Sequence, residues 1–129
     1  MRFDHVGIAT HDADQLTDLF GTLLDAPVAH REPFDGLDVR FLDLGNGYLE
    51  LLEPTEDEGP VARSLDRSGP GVHHVAFATA DVAAALDVAR DHGIDLVDEE
   101  PRPGAWGHDV AFLHPESTGG VLVEFVEHE

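Results

Sequence analysis

One internal repeat constrains the fold of this chain more than any other feature of its sequence. Shifting the chain by 69 residues places "DHVGIATHDA" (4–13) on "HHVAFATADV" (73–82). Each copy is a β-patterned run that ends in threonine, followed by an aspartate and an amphipathic segment. Each copy therefore predicts a strand, an aspartate N-cap and a helix. In the second copy, Gly93 after Arg90 and His92 predicts the end of the helix.

The later part of each copy repeats as well. The segments "DVRFLDLGNGYLELLEP" (38–54) and "DVAFLHPESTGGVLVEFVE" (109–127) each predict a strand, a turn with glycine and a second strand. With "APVAHREP" and "DLVDEEPRP" as the first strand after each helix, both copies predict the order β–α–β–β–β. A unit of about 60 residues cannot easily cover its own sheet face, so the two units are expected to pair around one core.

The predicted fold class is therefore α+β, with two paired βαβββ modules forming one cupped mixed sheet. The 129 residues are expected to form a single domain. Module 1 is predicted at about 1–56, a linker at about 57–70 and module 2 at about 71–129. The linker region, "PTEDEGPVARSLDRSGPG", is rich in proline, glycine and acids, and we expect one helical turn within it.

The charge of the chain excludes several classes of partner. Acidic residues number 27 against 7 basic ones, for a formal net charge of −20. Such a field repels polyanions, so we expect no nucleic acid and no membrane as a partner. The acids are spread along the chain and lysine is absent, which favours a halophilic protein adapted to concentrated salt. An ordinary acidic protein with a basic partner is the alternative.

Composition also limits the location and the chemistry. No apolar run approaches the ~20 residues that span a bilayer, and "MRFDHVGI" lacks the apolar segment of a signal peptide. A cytoplasmic protein is therefore expected. The absence of cysteine excludes disulfides, thiolate metal sites and thiol nucleophiles.

Two histidines and two glutamates stand at corresponding positions of the copies: His5 and His74 in the first strands, Glu50 and Glu124 in the last. The glutamates lie between apolar neighbours, and burial of an unpaired carboxylate is unfavourable unless a cation is shared with it. Two imidazoles and two carboxylates suit Co²⁺, Mn²⁺, Ni²⁺, Fe²⁺ or Zn²⁺ better than Mg²⁺. His73 and His74 project to opposite faces of their strand, and the register with His5 selects His74.

The most specific motif is "EEPRPGA", followed by "VAFLHPESTGGVLVE", in the second copy. Together with "FDHVGIA", "YLELLEPT" and "GVHHVAFATAD", it resembles the methylmalonyl-CoA epimerases of the vicinal oxygen chelate superfamily over essentially the whole chain. The resemblance implies paired βαβββ modules and metal ligands at His5, Glu50, His74 and Glu124. It also implies an isomerase that interconverts (R)- and (S)-methylmalonyl-CoA by proton abstraction at C2 through a metal-stabilised enolate. We predict a divalent metal ion (Co²⁺ before Mn²⁺, Ni²⁺, Fe²⁺ or Zn²⁺), a small acyl-CoA substrate and a homodimer.

Inversion at a carbon requires proton transfer on both of its faces, most simply by two opposed carboxylates. Glu124 and Glu50 are predicted as the catalytic residues. Some relatives carry a glutamate base three residues beyond a glycine, and here the corresponding position after Gly36 is Val39. The second base is then Glu50, which would double as a ligand, or a nearby acid such as Asp38.

Other assignments stay open at this point. Relatives often have lysine where this chain has Glu116, and Arg40, Arg63 and Arg102 are the candidates for a replacement contact to CoA. A glyoxalase I-type lactoylglutathione lyase shares the fold, the ligand pattern and the metal-enolate chemistry. A non-catalytic ligand-binding member of the superfamily is a third possibility. The linker and the C-terminal motifs favour the epimerase.

Overall fold

Two successive groups of strands and helices repeat one order along the chain. The computed structural model describes residues 1–128. The first group contains β1 (Arg2–Ala9), α1 (Ala13–Leu23), β2 (Val28–Phe34), β3 (Leu37–Asp43) and β4 (Tyr48–Pro54). After α2 (Pro60–Ser68), the second contains β5 (Gly71–Ala78), α3 (Val82–Asp91), β6 (Arg102–Pro103), β7 (Asp109–Leu113) and β8 (Val123–Glu127). Both groups have the predicted order β–α–β–β–β.

The groups contribute four strands each to a mixed sheet of eight strands. The strand order is β2-β3-β4-β1 in the first group, where β1 and β4 are parallel and the other pairs are antiparallel. It is β5-β8-β7-β6 in the second group, with β5 and β8 parallel. Because both groups share one topology, the predicted α+β fold of duplicated βαβββ modules is confirmed.

The chain folds as two compact units, His5–His73 and Met1–Asp4 with His74–Glu129. In the first unit, α1 packs on one face of its strands through Leu16 and Phe20, against buried Ala26, Leu42 and Leu51. In the second, α3 packs in the same way on its own strands. Its core cluster consists of Val82, Leu86, Ala89, Ala111 and Leu113. One face of each set of strands is thus the helix face.

Both helices begin as predicted. Asp12 accepts a hydrogen bond from the backbone N–H of Gln15 at 3.1 Å, and Asp81 accepts one from Ala84 at 3.0 Å. Helix α3 ends two residues before Gly93, which adopts the left-handed φ of 74° that favours glycine. No helix within residues 1–128 is long and apolar enough to cross a membrane.

The linker differs from the prediction of one helical turn, because α2 spans nine residues, Pro60–Ser68. Proline is favoured in the first turn of a helix, where its missing N–H is not needed. Val61, Ala62 and Leu65 follow at helical spacing and are buried. This helix was not predicted at its full length because its three apolar residues lie between glycines and acidic residues, which are typical of a loop.

The strand predicted over "DLVDEEPRP" was wrong for most of its length, since β6 covers only Arg102–Pro103. Asp98 accounts for the difference. Its carboxylate accepts the backbone N–H of Phe112 at 2.9 Å and the Nε–H of Arg102 at 2.9 Å. The Asp98 carboxylate therefore takes the place of a backbone carbonyl as the acceptor for this N–H of β7, and Pro101 and Pro103 offer no backbone donors to extend the pairing.

Candidate functional site

His5 and Glu50 meet within the first unit. Strands β1 and β4 are parallel, with His5 opposite Tyr48 and Gly7 opposite Glu50, so the imidazole and the carboxylate project from the same face. His5 Nε2 lies 3.2 Å from Glu50 Oε1, and both side chains are buried. The structure therefore brings together two of the four predicted site residues here.

His74 and Glu124 form the equivalent pair within the second unit. In the parallel pairing of β5 and β8, Ala76 lies opposite Glu124, which places His74 and Glu124 on one face. His74 Nε2 lies 3.2 Å from Glu124 Oε1, and both side chains are buried. The neighbouring His73 is only half-buried. The two pairs have the same donor atoms at the same distance.

Each histidine also contacts a phenylalanine that the sequence analysis missed. Phe41 lies opposite Glu50 across β3 and β4, and Phe112 lies opposite Glu124 across β7 and β8. The ring centroids of phenylalanine and histidine are 5.6 Å apart in the first unit and 5.4 Å in the second, with interplanar angles of 89° and 84°. Such edge-to-face contacts restrain the imidazole planes. The shared "DVRFL" and "DVAFL" segments carried this information.

A second glutamate on each of β4 and β8 bonds the first turn of a helix to that strand. Three residues after Glu50 and Glu124 come Glu53 and Glu127. Glu53 Oε1 accepts the N–H of the first residue of α1 at 2.7 Å, and Glu127 Oε1 accepts that of α3 at 3.0 Å. Strand residues an odd number apart project to opposite faces, so the first glutamate of each pair faces away from the helix. The repeated E-x-x-E spacing was visible in the sequence.

Asp38, which was named as an alternative base, lies on the face of the sheet that packs against α1. Glu50 lies on the opposite face. In the register of β3 and β4, Asp38 is opposite Glu53. Its Oδ2 accepts hydrogen bonds from Arg40 at 2.9 Å and from Arg31 at 3.0 Å. The bond to Arg40 is the main cause that lowers the pKa of Asp38. Asp38 is thus held as an anion away from Glu50.

Arg40, one of the three arginines considered for CoA, has a structural environment. Its side chain is 5% exposed and its guanidinium contacts Asp14 at 2.8 Å and Thr17 Oγ1 at 3.1 Å, both on α1. The hydrogen bond with Asp38 raises the pKa of Arg40. These contacts tie α1 to β3 and leave Arg40 unsuited to bind a ligand.

Arg102 has the opposite character. It lies opposite Val110 in the register of β6 and β7, on the face that also carries Glu124. Its guanidinium carbon is 5.5 Å from the centre of the Phe112 ring, its Nε bonds Asp98, and its side chain is 43% exposed. Arg63, the third candidate, is exposed on α2. Arg102 is therefore the arginine that shares a face with a predicted ligand.

The donor atoms of the two pairs fit a divalent metal ion. Two ligands about 2.1 Å from one cation, at a right angle to each other, lie about 3.0 Å apart. The His Nε2 to Glu Oε1 distance is 3.2 Å in each pair. Within each unit, the buried histidine and glutamate each offer one ligand atom of a kind that could hold a metal ion. Imidazole nitrogen and carboxylate oxygen suit divalent transition metals.

Comparisons with known proteins agree with this chemistry. The model of the Glyoxalase/Bleomycin resistance protein/Dioxygenase superfamily matches residues 4–112. The ethylmalonyl-CoA/methylmalonyl-CoA epimerase of Cereibacter sphaeroides is 35% identical over 127 residues, which cover 95% of each chain. The mitochondrial methylmalonyl-CoA epimerase of Homo sapiens is 36% identical over 126 residues, covering 95% of this chain and 72% of its own.

Solved structures are similar as well. A variant of Streptomyces coelicolor methylmalonyl-CoA epimerase in complex with 2-nitronate-propionyl-CoA is 40% identical and superposes with a TM-score of 0.92. The match covers 98% of this chain and 94% of that one. The chain therefore belongs to the Glyoxalase/Bleomycin resistance protein/Dioxygenase superfamily and, within it, to the family of the methylmalonyl-CoA epimerases.

Proposed function

We propose that this protein interconverts (R)- and (S)-methylmalonyl-CoA by moving the proton at C2. One observation carries the proposal: a buried histidine–glutamate pair recurs in both units of a chain that matches an epimerase of this substrate class over 95% of both lengths. C2 lies between a thioester carbonyl and a carboxylate, so its proton is acidic enough for a glutamate to remove.

We propose that His5, Glu50, His74 and Glu124 hold one divalent metal ion, with Co²⁺ before Mn²⁺, Ni²⁺, Fe²⁺ or Zn²⁺. When bound, such an ion stabilises the negative charge that develops on the thioester oxygen as the proton leaves. The 3.2 Å spacing within each pair supports the assignment. The edge-to-face contacts with Phe41 and Phe112 would keep the two imidazoles oriented before the metal binds.

Within this site we propose that Glu124 moves the proton on one face of C2. Glu50 remains a predicted catalytic residue as well as a ligand. Arg102 is proposed to contact an anionic group of the acyl-CoA, because it is exposed and shares the face of Glu124. The predicted homodimer stays a prediction, which sedimentation equilibrium would test.

The test is hydrogen exchange at C2. Methylmalonyl-CoA incubated in D₂O with metal-loaded protein is expected to gain deuterium at C2 while its configuration scrambles, as followed by mass spectrometry and chiral analysis. Protein treated with a chelator is the matched control and should do neither. A lactoylglutathione lyase would leave the C2 proton in place and consume the methylglyoxal–glutathione adduct. A non-catalytic binding protein would neither exchange the C2 proton nor consume that adduct. The behaviour of a lyase or of a binding protein would refute the proposal.

A further inference from the structure

A second histidine–glutamate pair lies on the Glu50 face of the first unit. In the register of β2 and β3, His30 is opposite Phe41 and Glu32 is opposite Val39. Phe41 is in turn opposite Glu50. Residues directly opposite each other project to the same face of a sheet. His30 and Glu32 therefore share a face with the predicted ligand Glu50, on a strand two positions away.

The side chains of His30 and Glu32 lie close enough for an electrostatic contact but too far apart for a direct hydrogen bond. His30 Nε2 lies 3.7 Å from Glu32 Oε2, and the His30 ring lies 6.4 Å from that of Phe41. The two side chains are 27% and 29% exposed. A small molecule can therefore reach the carboxylate, while much of its surface is shielded from water.

The other acids of β2, β3 and β4 have different roles. Asp38 and Glu53 lie on the helix face, bonded to arginines and to α1. Asp43 accepts the backbone N–H of Gly45 at 2.7 Å in the turn after β3. Glu50 lies 3.2 Å from His5 Nε2 and is proposed above as a ligand; as a predicted second base it is the alternative to Glu32 that the test below decides. Glu32 is the remaining acid of these three strands, and it lies on the required face.

We propose that Glu32, oriented by His30, moves the C2 proton on the face opposite to Glu124; this inference rests on the proposed function. In one direction the Glu32 carboxylate takes the proton from C2, and the C–H electron pair enters the C1–C2 bond as charge passes to the thioester oxygen. Protonated Glu124 then donates its proton to the other face of C2: the electron pair of the C1–C2 double bond forms the new C–H bond, the thioester carbonyl is restored, and Glu124 is left as a carboxylate. In the reverse direction the two glutamates exchange roles.

The test compares Glu32→Gln with the wild type, starting from each pure epimer in D₂O. Inversion is expected to fall by about 10²–10⁴-fold from either epimer, as is typical when a general acid–base group is lost. Exchange should survive from one epimer only, with retention of configuration, because Glu124 still removes and returns that proton. Metal content should equal that of the wild type. Glu32→Asp, which keeps a carboxylate, should recover part of the inversion.

Asp35→Asn is the matched control, since it removes one charge from the turn between β2 and β3. Asp35 has a left-handed φ of 52°, which asparagine tolerates, so inversion and exchange should be those of the wild type. His30→Gln is expected to lower kcat with KM and metal content unchanged, as fits a positioning residue.

Two results would overturn the assignment of Glu32 alone. One is inversion by Glu32→Gln at the wild-type rate; the other is equal loss of exchange from both epimers. A metal-loaded wild type that incorporates no deuterium from either epimer would instead overturn the proposed function, and this inference with it.

Discussion

Replacing His74 with alanine is expected to weaken metal binding by about 10²–10³-fold, whereas His73→Ala should leave it nearly unchanged. Four-ligand zinc sites bind with about 10–16 kcal/mol, so one ligand of four contributes roughly 2.5–4 kcal/mol. At 1.4 kcal/mol per factor of ten, this gives the expected loss. His74 Nε2 is buried 3.2 Å from Glu124 Oε1, while His73 projects to the other face of β5.

Competition with a chromophoric chelator measures the affinity, first with Co²⁺ and then with Zn²⁺. His5→Ala should match His74→Ala, because His5 has the same spacing to its own glutamate, 3.2 Å. Thermal unfolding of the metal-free variants is the control: a cooperative transition for each variant means that a weaker affinity is not caused by unfolding. Equal affinities for His73→Ala and His74→Ala would refute the assignment of His74.

Three further predictions concern stability. Glu53→Ala removes the acceptor for the first N–H of α1 and should lower the free energy of unfolding by about 1–3 kcal/mol in urea titrations; an unchanged midpoint would contradict this. Arg40 lowers the pKa of Asp38 in the folded protein. The pair therefore stabilises the fold above the ordinary carboxyl pKa of about 3.9, and this stabilisation is lost as the pH falls through the lower pKa that Asp38 has in the folded protein. Arg40→Met should therefore flatten the loss of stability below about pH 4, and parallel urea midpoints for both proteins would argue against it. With a net charge of −20, the thermal midpoint should rise from dilute buffer to molar KCl, where the Debye length is ~3 Å, and a flat profile would speak against salt adaptation.

The repeat made most of the fold predictable from the sequence. Matching segments at a shift of 69 residues predicted the duplicated β–α–β–β–β order and both aspartate caps. Two local features could not be predicted in this way. Helix α2 depends on three buried apolar residues within an acidic, proline-containing segment. The shortness of β6 depends on Asp98, whose carboxylate meets a backbone N–H of β7 only once the chain has folded.

The candidate site was predictable to the extent that it follows the repeat. The pairing of His5 with Glu50, and of His74 with Glu124, follows from equivalent positions on parallel strands. The face on which Asp38 lies does not follow from the repeat, because it depends on the register between β3 and β4. Sequence alternation places Asp38 and Val39 on opposite faces but does not say which of them shares a face with Glu50.

The outer strands show where the two copies stop being equivalent. Val39 and Phe41 on β3 correspond to Val110 and Phe112 on β7, and each phenylalanine is opposite a glutamate that is proposed as a metal ligand.

The residue opposite the valine, however, is Glu32 in one unit and Arg102 in the other. The proposed substrate is itself asymmetric, with a proton to be moved at C2 and anionic groups to be held. The two units of a duplicated fold can therefore have identical histidine–glutamate pairs for a metal and opposite charges at equivalent outer positions. In this chain the acid would move the proton, and the guanidinium would bind the anionic group. Arg102→Gln is therefore expected to raise KM for the acyl-CoA and to leave metal affinity unchanged, while Glu32→Gln is expected to slow inversion. If Arg102→Gln slowed inversion and Glu32→Gln raised KM instead, these two outer positions would not have the roles assigned here.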